Sequence, residues 1–273
     1  MGGERRTEVR RAGALAALDT PPHEDLAVLG FVAACALRGQ PLPPRLCFAL
    51  TSEIPVARGL GSSSAALVAG AALASVVLGL DCSPVEIATL CARIDGHPDN
   101  VAPAVFGGAM LGVPVPDASG APGYAFAHLA VHEEIAFAFA VPDFELTTRE
   151  ARAILPTSLT HQQGVAAAAK SAALVHGLAA GDPALLAYAL ADVLHVPFRR
   201  ALVAGFGEVE AAAVAAGAFG ATLSGSGPTL MAVGPRLRMH TVAAAMEQAW
   251  QRCGMSAHTF VQRRPAVACL RTG

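Results

Sequence analysis

The sequence contains a single lysine, Lys170, among its 273 residues. A Walker-type phosphate-binding loop requires Gly-Lys-Ser or Gly-Lys-Thr, so this chain has no such loop. Charged residues are also scarce, at 15%, while 53% of the residues are hydrophobic. That balance excludes a disordered chain and is typical of a globular protein, whose length allows one large domain or two modest ones.

Other absences narrow the class of protein further. No two cysteines form a Cys-x-x-Cys pair, so the sequence predicts buried thiols in a reducing cytoplasm instead of a zinc site or a disulfide framework. The first residues contain no apolar run of the kind that a signal peptide needs. A net charge of −2 argues against a nucleic-acid surface. We expect a cytoplasmic protein with neither nucleic-acid nor membrane partners. The basic residues near the start are expected to be solvated: Arg5, Arg6, Arg10 and Arg11.

A glycine- and serine-rich stretch at residues 55–66 is the feature around which the chain is organised. Its sequence is Pro-Val-Ala-Arg-Gly-Leu-Gly-Ser-Ser-Ser-Ala-Ala. Gly59 and Gly61 allow positive φ and close backbone approach, and the three serines 62–64 are predicted to cap the helix that follows. The unpaired N–H groups and positive dipole at a helix start favour an anion such as phosphate. The stretch therefore predicts the phosphate-binding loop of a nucleotide-dependent small-molecule kinase.

Two other interpretations of this stretch stay open. Residues 59–80 contain no charged side chain, as in a transmembrane segment, although alanine, glycine and serine dominate and the first third is predicted to be a loop. A glycine-serine turn before a buried helix, without any ligand, is the second alternative.

The remaining pattern mixes helices and strands without a strict alternation. Strands are predicted at 7–12, 45–54, 135–141 and 256–262, with a strand, turn and strand at 218–232. Helices are predicted at 23–37, 85–94, 165–178, 183–194, 205–217 and 241–252, and a surface loop at 114–123. Ser83-Pro84 is predicted to cap the helix at 85–94, and residues 147–152 are predicted to open a further helix with hydroxyl caps. We therefore predict an α+β fold in two layers.

Two further polar segments complete a set of parts that phosphoryl transfer needs. Residues 95–100 form an acidic loop, Asp-Gly-His-Pro-Asp-Asn, and residues 224–228 form a second glycine-rich turn. Phosphoryl transfer requires backbone N–H groups around the phosphates, a hydroxyl and a carboxylate for Mg²⁺, and side chains that hold the acceptor.

These segments resemble the signature motifs of a known family. Pro55-x-x-x-Gly59-Leu60-Gly61-Ser62-Ser63 is similar to the second motif of the GHMP kinases, and Ser224-Gly225-Ser226-Gly227-Pro228 to the third. Three more segments resemble the homoserine kinases of that superfamily: Gly96 to Pro103, Thr148-x-x-x-Arg152, and His195-x-Pro197-Phe198-Arg199. The resemblance covers about residues 23–262. It implies a GHMP-kinase-like fold, with a ribosomal-protein-S5-like N-terminal domain at 1–134 and a ferredoxin-like C-terminal domain at 135–273.

The resemblance implies ATP-dependent phosphorylation of the L-homoserine hydroxyl in threonine biosynthesis, with Mg²⁺ as cofactor. Ser63 and Asp95 would hold Mg²⁺, and Ser63, Asp99 and Asn100 would be catalytic. Asparagine stands where some relatives carry an aspartate base, which favours direct in-line transfer driven by positioning. Residues implied in nucleotide binding are Pro55, Arg58, Gly59, Leu60, Gly61, Ser62, Ser63, Ser64 and Ala65. Residues implied in homoserine binding are Asn100, Thr148, Arg152, Arg199, Gly225 and Gly227, the arginines clamping the carboxylate.

Each of three side chains also has a simpler interpretation. His97 could only brace its loop, Arg199 could be a charge at a helix C-terminus, and Arg152 could form a surface ion pair.

The chain departs from the family pattern in three places. Asp95 stands where homoserine kinases usually carry glutamate, and Asp25 where they tend to carry asparagine. Nothing in residues 1–22 matches the family's first motif, Pro-x-x-x-Ala-Asn-Leu-Gly-Pro-Gly-Phe-Asp. Either the start lies upstream of Met1 or part of the acceptor site is lacking. A missing strand would expose a sheet edge that a homodimer could cover. Another GHMP kinase, or a non-catalytic nucleotide-binding remnant, is the alternative function.

Overall fold

The computed structural model describes residues 6–116, 120, 122–263 and 268–269. These residues form two compact units. The first contains the described residues up to Val56, Gly61–His128 and residues 268–269, and the second contains Ala57–Leu60 and the described residues from Leu129 to 263. None of the helices in the described part of the chain is long and apolar enough to span a bilayer.

The first unit combines four helices with two small sheets. Strand β1 pairs in parallel with β2, and β3 pairs with β4 as an antiparallel hairpin. In chain order its elements are β1 (Arg6–Gly13), α1 (Leu26–Leu37), β2 (Arg45–Ser52), α2 (Ser62–Leu78), α3 (Pro84–Asp95), α4 (Val101–Phe106), β3 (Met110–Pro116) and β4 (Pro122–His128).

The core of the first unit lies between its helices, where Leu67, Ile87 and Val101 are fully buried. Helices α1 and α2 cross with their backbones almost in contact. A Cβ on Gly70 would lie 1.8 Å from the carbonyl oxygen of Ala27, and only a glycine fits there. This crossing fixes the direction of α2, whose first turn follows the glycine-rich loop.

The second unit is built on a four-stranded antiparallel sheet in the order β6-β7-β5-β8. Its elements are β5 (Ile135–Pro142), α5 (Thr148–Ala153), α6 (His161–Ala180), α7 (Pro183–Leu190), α8 (Val196–Arg199), a 3₁₀ turn (Arg200–Leu202), α9 (Phe206–Ala215), β6 (Gly220–Leu223), β7 (Leu230–Pro235), α10 (Met239–Arg252) and β8 (Ala257–Gln262). Its hydrophobic core has two clusters. One contains the fully buried Trp250 and residues of α9 and α10, and the other contains Leu186 and residues of α6 and α7.

The single lysine lies in this second unit, on α6. The Lys170 ammonium donates to the backbone oxygen of Tyr188 at 2.5 Å and lies 4.0 Å from the centre of the Tyr188 ring.

Local capping signals placed several helix ends correctly. Ser83 and Glu86 form a reciprocal capping box at the start of α3, and Thr147 and Glu150 form another at α5. The predicted loop at 114–123, however, was wrong at both ends, because β3 runs to Pro116 and β4 begins at Pro122, with Gly120 in the turn between them. Within the described ranges the two strands pair only with each other, and proline is tolerated in such edge strands.

The expectation that the early arginines are solvated is also wrong for Arg11. Its guanidinium lies 2.6 Å from the Asp25 carboxylate and donates to the carbonyl oxygen of Thr20. Asp25 is 7% exposed and caps α1 by accepting from the N–H of Ala27 at 3.0 Å. Asp25 therefore has a structural partner inside the first unit. Arg5 lies outside the described residues.

Candidate active site

The two glycine motifs contact each other directly within the second unit. The Ser224 hydroxyl donates to the Gly59 carbonyl oxygen at 2.8 Å, and the Leu146 N–H donates to the carbonyl oxygen of Ala57 at 3.1 Å. Gly59 has φ +73°, and a Cβ there would lie 2.2 Å from the carbonyl oxygen of Ser224. A Cβ on Gly225 would in turn lie 3.2 Å from the Gly59 oxygen. The contact between the loops thus explains why glycine is needed at Gly59.

Arg58 braces this loop. Its Nε donates to the carbonyl oxygen of Pro142 at 3.1 Å, and Nη1 lies 3.3 Å from the Glu145 carboxylate. The Arg58 side chain is 15% exposed. These contacts hold the loop to the end of β5, and a contact of Arg58 with nucleotide stays a prediction.

Helix α2 begins without a side-chain cap. Its N-cap is Gly61 at φ +73°, and the three serines occupy the first three positions inside the helix. The prediction that a serine caps α2 was therefore wrong. The left-handed N-cap leaves the N–H groups of the first turn without a side-chain acceptor, and phosphate binds to helix starts of that kind.

The three serines differ in exposure. Ser63, predicted to hold Mg²⁺, is exposed, and Ser62 is half-buried. Ser64 is 1% exposed, and its hydroxyl donates to Oδ2 of Asp95, the last residue of α3. The only hydroxyl proton of Ser64 is therefore committed to Asp95. Ala65 follows in the same helix, whereas Pro55 and Leu60 lie in the loop before it.

The acidic loop after α3 is braced from within. His97 Nδ1 lies 2.5 Å from Asp99 Oδ1 and 3.9 Å from Asp95 Oδ2. Asp99 Oδ1 also accepts from the N–H of Asn100 at 2.9 Å. The contacts of His97 support its bracing role. A Cβ on Gly61 would lie 3.1 Å from Asn100 Oδ1, so the Asn100 amide lies against the start of α2.

Arg199 joins three segments of the second unit. Its Nε donates to the carbonyl oxygen of Ala151 on α5 at 2.9 Å, and Nη1 donates to that of Gly225 at 3.2 Å. Arg199 is only 8% exposed, so it is not a solvated charge at a helix end.

Thr148 and Arg152 are exposed and lie four residues apart on α5, on one face of that helix. Gly227 has φ +84° and lies in the same turn as Gly225.

The electrostatics of Arg199 suit an anion. Burial lowers the pKa of the Arg199 guanidinium, the charge of Asp192 opposes that effect, and the charge of Arg152 lowers the pKa further. The net result is a lowered pKa. A carboxylate between the two arginines would relieve their repulsion and supply paired acceptors.

Asp192 is a residue that sequence reasoning missed. It accepts from the backbone N–H groups of Leu194, His195 and Val196 at 2.7 to 2.9 Å. Burial raises its pKa, but these three hydrogen bonds outweigh burial, and the net pKa is lowered. Asp192 thus fixes the turn that leads into α8 and Arg199. An aspartate a few residues before a helix with proline in its first turn is a signal that could have indicated it.

The donor set is compatible with Mg²⁺ bound together with a nucleotide. Among the described residues, no cluster of three or more His, Cys, Asp or Glu side chains could hold a metal ion alone. Mg²⁺ usually takes one or two carboxylates plus substrate phosphates. Asp95 and the serine hydroxyls are oxygen donors of that type.

Comparison with known proteins shows the family to which the chain belongs. Residues 27–108 match the GHMP kinases N terminal domain, and residues 174–252 match the GHMP kinases C terminal domain. The chain is thus a kinase of the GHMP class. It is 41% identical to a homoserine kinase of Microchaete diplosiphon over 79% of this chain and 69% of that one. It is 39% identical to a homoserine kinase of Picosynechococcus over 87% of this chain and 76% of that one. The chain belongs to the homoserine kinase family.

Solved structures support the same fold. The crystal structure of a homoserine kinase from Cytophaga hutchinsonii superposes with a TM-score of 0.83 at 24% identity, covering 97% of this chain and 84% of that one. A mevalonate kinase from L. major superposes with a TM-score of 0.64 at 15% identity, covering 98% of this chain and 85% of that one. The α+β GHMP-kinase fold expected from the sequence is confirmed.

Proposed function

We propose that this chain transfers the γ-phosphoryl group of ATP to the side-chain hydroxyl of L-homoserine, forming O-phospho-L-homoserine and ADP in threonine biosynthesis. The observation that carries the choice of an amino-acid acceptor is the buried guanidinium of Arg199, which donates to two neutral carbonyl groups. Burial and the charge of Arg152 lower its pKa, and the charge of Asp192 offsets this only in part. A carboxylate would stabilise this cation more than any neutral group would.

In this proposal the acceptor is held by its carboxylate at Arg152 and Arg199, with Thr148, Gly225 and Gly227 around it. The segment from Pro55 to Ala65 binds the nucleotide, with its phosphates at the start of α2. The positive end of the helix dipole and the first-turn N–H groups stabilise the phosphate charge.

The transfer step is an in-line displacement. The homoserine hydroxyl oxygen attacks the γ-phosphorus, and the bond from that phosphorus to the bridging oxygen of ADP breaks. The hydroxyl proton passes to an oxygen of the transferred phosphoryl group. The neutral amide of Asn100 orients the hydroxyl without taking its proton, and Asp99 holds the Asn100 backbone through its N–H. Positioning of the two reactants therefore supplies most of the acceleration.

The proposal includes a divalent cation, a compartment and an assembly. Asp95 and Ser63 would hold Mg²⁺, which neutralises phosphate charge when it is bound. Cys35 and Cys91 are buried free thiols, as suits the reducing cytoplasm, whereas Cys47 and Cys269 are exposed, so the expectation of buried thiols is wrong for those two. We propose a homodimer, which equilibrium sedimentation would test.

The first test is an ADP-release assay with Mg-ATP and one acceptor at a time: L-homoserine, L-serine, L-threonine or mevalonate. Turnover with homoserine alone is expected. Turnover with mevalonate in place of homoserine would assign another GHMP kinase activity. Folded protein that binds ATP and phosphorylates none of them would be a nucleotide-binding remnant, and the proposed activity would be wrong.

A second acceptor, which lacks the carboxylate, measures how much the carboxylate contributes to turnover. 3-Aminopropan-1-ol has the hydroxyl, the amine and the three-carbon chain of homoserine but no carboxylate. We expect its kcat/KM to be lower by a factor on the order of 10² to 10³, the effect of removing one partner of a buried charged pair. Equal rates with both acceptors would remove the reason for assigning Arg152 and Arg199 to the acceptor.

A further inference from the structure

Ser64 combines three properties that a serine inside a helix rarely has together. It is 1% exposed, it lies in the first turn of α2, and it does not cap that helix. Helical serine hydroxyls usually point to solvent or bond to the carbonyl four residues earlier. The Ser64 hydroxyl instead donates to Oδ2 of Asp95, which is 31 residues further along the chain.

That hydrogen bond restricts the Asp95 carboxylate. Asp95 is the last residue of α3 and is followed by Gly96 at φ +83°, where the helix ends. Within the described part of the chain, the hydrogen bond from Ser64 and the 3.9 Å contact with His97 both involve Oδ2. An aspartate has only two side-chain torsions, so holding Oδ2 also sets the direction of Oδ1. The Asp95 side chain keeps 16% exposure, enough for a ligand to reach it.

We propose that Ser64 is a positioning residue that orients the Asp95 carboxylate toward the divalent cation accompanying ATP. The inference rests on the proposed function, because it takes Asp95 as a ligand of Mg²⁺. It replaces the expectation that the Ser64 hydroxyl binds a nucleotide phosphate directly. Partners that orient a metal-binding carboxylate typically change metal affinity by roughly 10- to 100-fold when removed.

The direct test measures the metal instead of turnover. Binding of Mn²⁺ to the full chain, in complex with a non-hydrolysable ATP analogue, is followed by electron paramagnetic resonance. Ser64→Ala is expected to weaken Mn²⁺ binding by about tenfold. The matched control is Ser75→Ala in the same helix, whose hydroxyl accepts from the N–H of Cys82 at 3.1 Å. That variant removes a comparable hydrogen bond and is expected to leave Mn²⁺ affinity within about twofold of the wild type.

A second measurement separates positioning from phosphate contact. Binding of ADP in the presence of a chelator contains no metal contribution, and Ser64→Ala is expected to leave it unchanged. A loss of metal-free ADP affinity as large as the loss of Mn²⁺ affinity would make Ser64 a phosphate ligand and overturn the proposal. Unchanged Mn²⁺ affinity in Ser64→Ala would overturn it as well.

A double-mutant cycle tests whether Ser64 acts through Asp95. Asp95→Asn removes the carboxylate charge, and Ser64→Ala is expected to have no further effect on Mn²⁺ affinity in that background. A tenfold effect that persists there would show that Ser64 acts independently of Asp95. All these binding experiments omit homoserine. A chain with the expected coupling but no homoserine phosphorylation would retain the role of Ser64 and lose the proposed substrate.

The kinetic readout should agree. The Mg²⁺ concentration for half-maximal rate is expected to rise about tenfold in Ser64→Ala, while kcat at saturating Mg²⁺ stays within about twofold. Loss of kcat at every Mg²⁺ concentration would contradict a role in positioning the metal ligand.

Discussion

The two units differ in how they compensate charges held away from solvent. In the first unit two carboxylates have side-chain donors: Asp25 has the guanidinium of Arg11, and Asp95 has the hydroxyl of Ser64. In the second unit the buried guanidinium of Arg199 donates to two neutral carbonyl groups, and the charges of Asp192 and Arg152 shift its pKa in opposite directions. A fully compensated charge stabilises the fold, whereas a cation that is only partly compensated is available to a ligand.

Replacing Arg11 should have the largest effect, and that effect should be a loss of stability. Arg11→Ala leaves the Asp25 carboxylate buried without its cation, which typically costs about 3–5 kcal/mol. We expect that loss in the free energy of unfolding measured with urea.

The control is Arg10→Ala, an exposed arginine on the same strand, with an expected change of about 0.5 kcal/mol or less. Adding Asp25→Asn to Arg11→Ala should recover part of the loss, because asparagine still caps α1 and carries no charge. Equal effects of Arg10→Ala and Arg11→Ala would show that the buried pair does not stabilise the first unit.

Replacing Arg199 should show the reverse pattern. Arg199→Met removes a buried and only partly compensated charge, but also its hydrogen bonds to Ala151 and Gly225, so the free energy of unfolding should fall by less than in Arg11→Ala. The kcat/KM for homoserine should fall by a factor on the order of 10² to 10³, equivalent to about 3–4 kcal/mol. The adjacent and exposed Arg200 provides the control, and Arg200→Ala should keep kcat/KM within about threefold. Destabilisation of Arg199→Met as severe as that of Arg11→Ala would erase the distinction between the two units.

A third test concerns the glycine loop that the second unit holds. Gly59→Ala combines a left-handed backbone with a clash against the Ser224 carbonyl, and we expect a loss of roughly 2–4 kcal/mol in unfolding free energy. Gly79→Ala isolates the backbone contribution, because Gly79 has φ +60° and no atom within 4 Å of a Cβ there. Its cost should be about 1–2 kcal/mol. Equal losses would mean that the loop moves aside, and that its contact with Ser224 is dispensable.

The smallest expected effect concerns Asp192, a carboxylate of the second unit that accepts three backbone hydrogen bonds. Its pKa in the folded protein lies below the ordinary value of 3.8, so the stability it contributes is present above that value and is lost as pH falls through the folded pKa. Asp192→Asn should lower the unfolding free energy by about 1–3 kcal/mol at pH 6. The difference between variant and wild type should shrink below pH 4, as urea unfolding at several pH values would show. A constant difference down to pH 2 would contradict the lowered pKa.

Features encoded by neighbouring residues could be predicted from the sequence. The capping residues Ser83 and Thr147 lie within three positions of their partners, and the helices they start were found. The glycine-rich loop was correctly placed between a strand and a helix. Such signals need no knowledge of the tertiary fold.

Features that depend on distant partners could not be predicted in this way. Arg11 looked like a solvated charge because Asp25, 14 residues away, meets it only once α1 is docked. Arg199 bonds to a carbonyl 48 residues earlier, and Ser64 to a carboxylate 31 residues later. Family resemblance pointed to Arg199, but its burial and its contact with Gly225 required the structure. The resemblance also implied that Ser63 holds Mg²⁺ and that Ser64 binds nucleotide, and the hydrogen bond from the Ser64 hydroxyl to Asp95 required the structure.

The placement of Lys170 has a practical consequence. The chain has one ε-amino group, and that group lies on α6 in the second unit against Tyr188. An amine-reactive fluorophore would therefore have one side chain and the α-amino group to label, and it would give fewer products than with a lysine-rich enzyme. The label on Lys170 would monitor the second unit, so titrations with acceptor and nucleotide could be followed from a fixed point outside the proposed site residues.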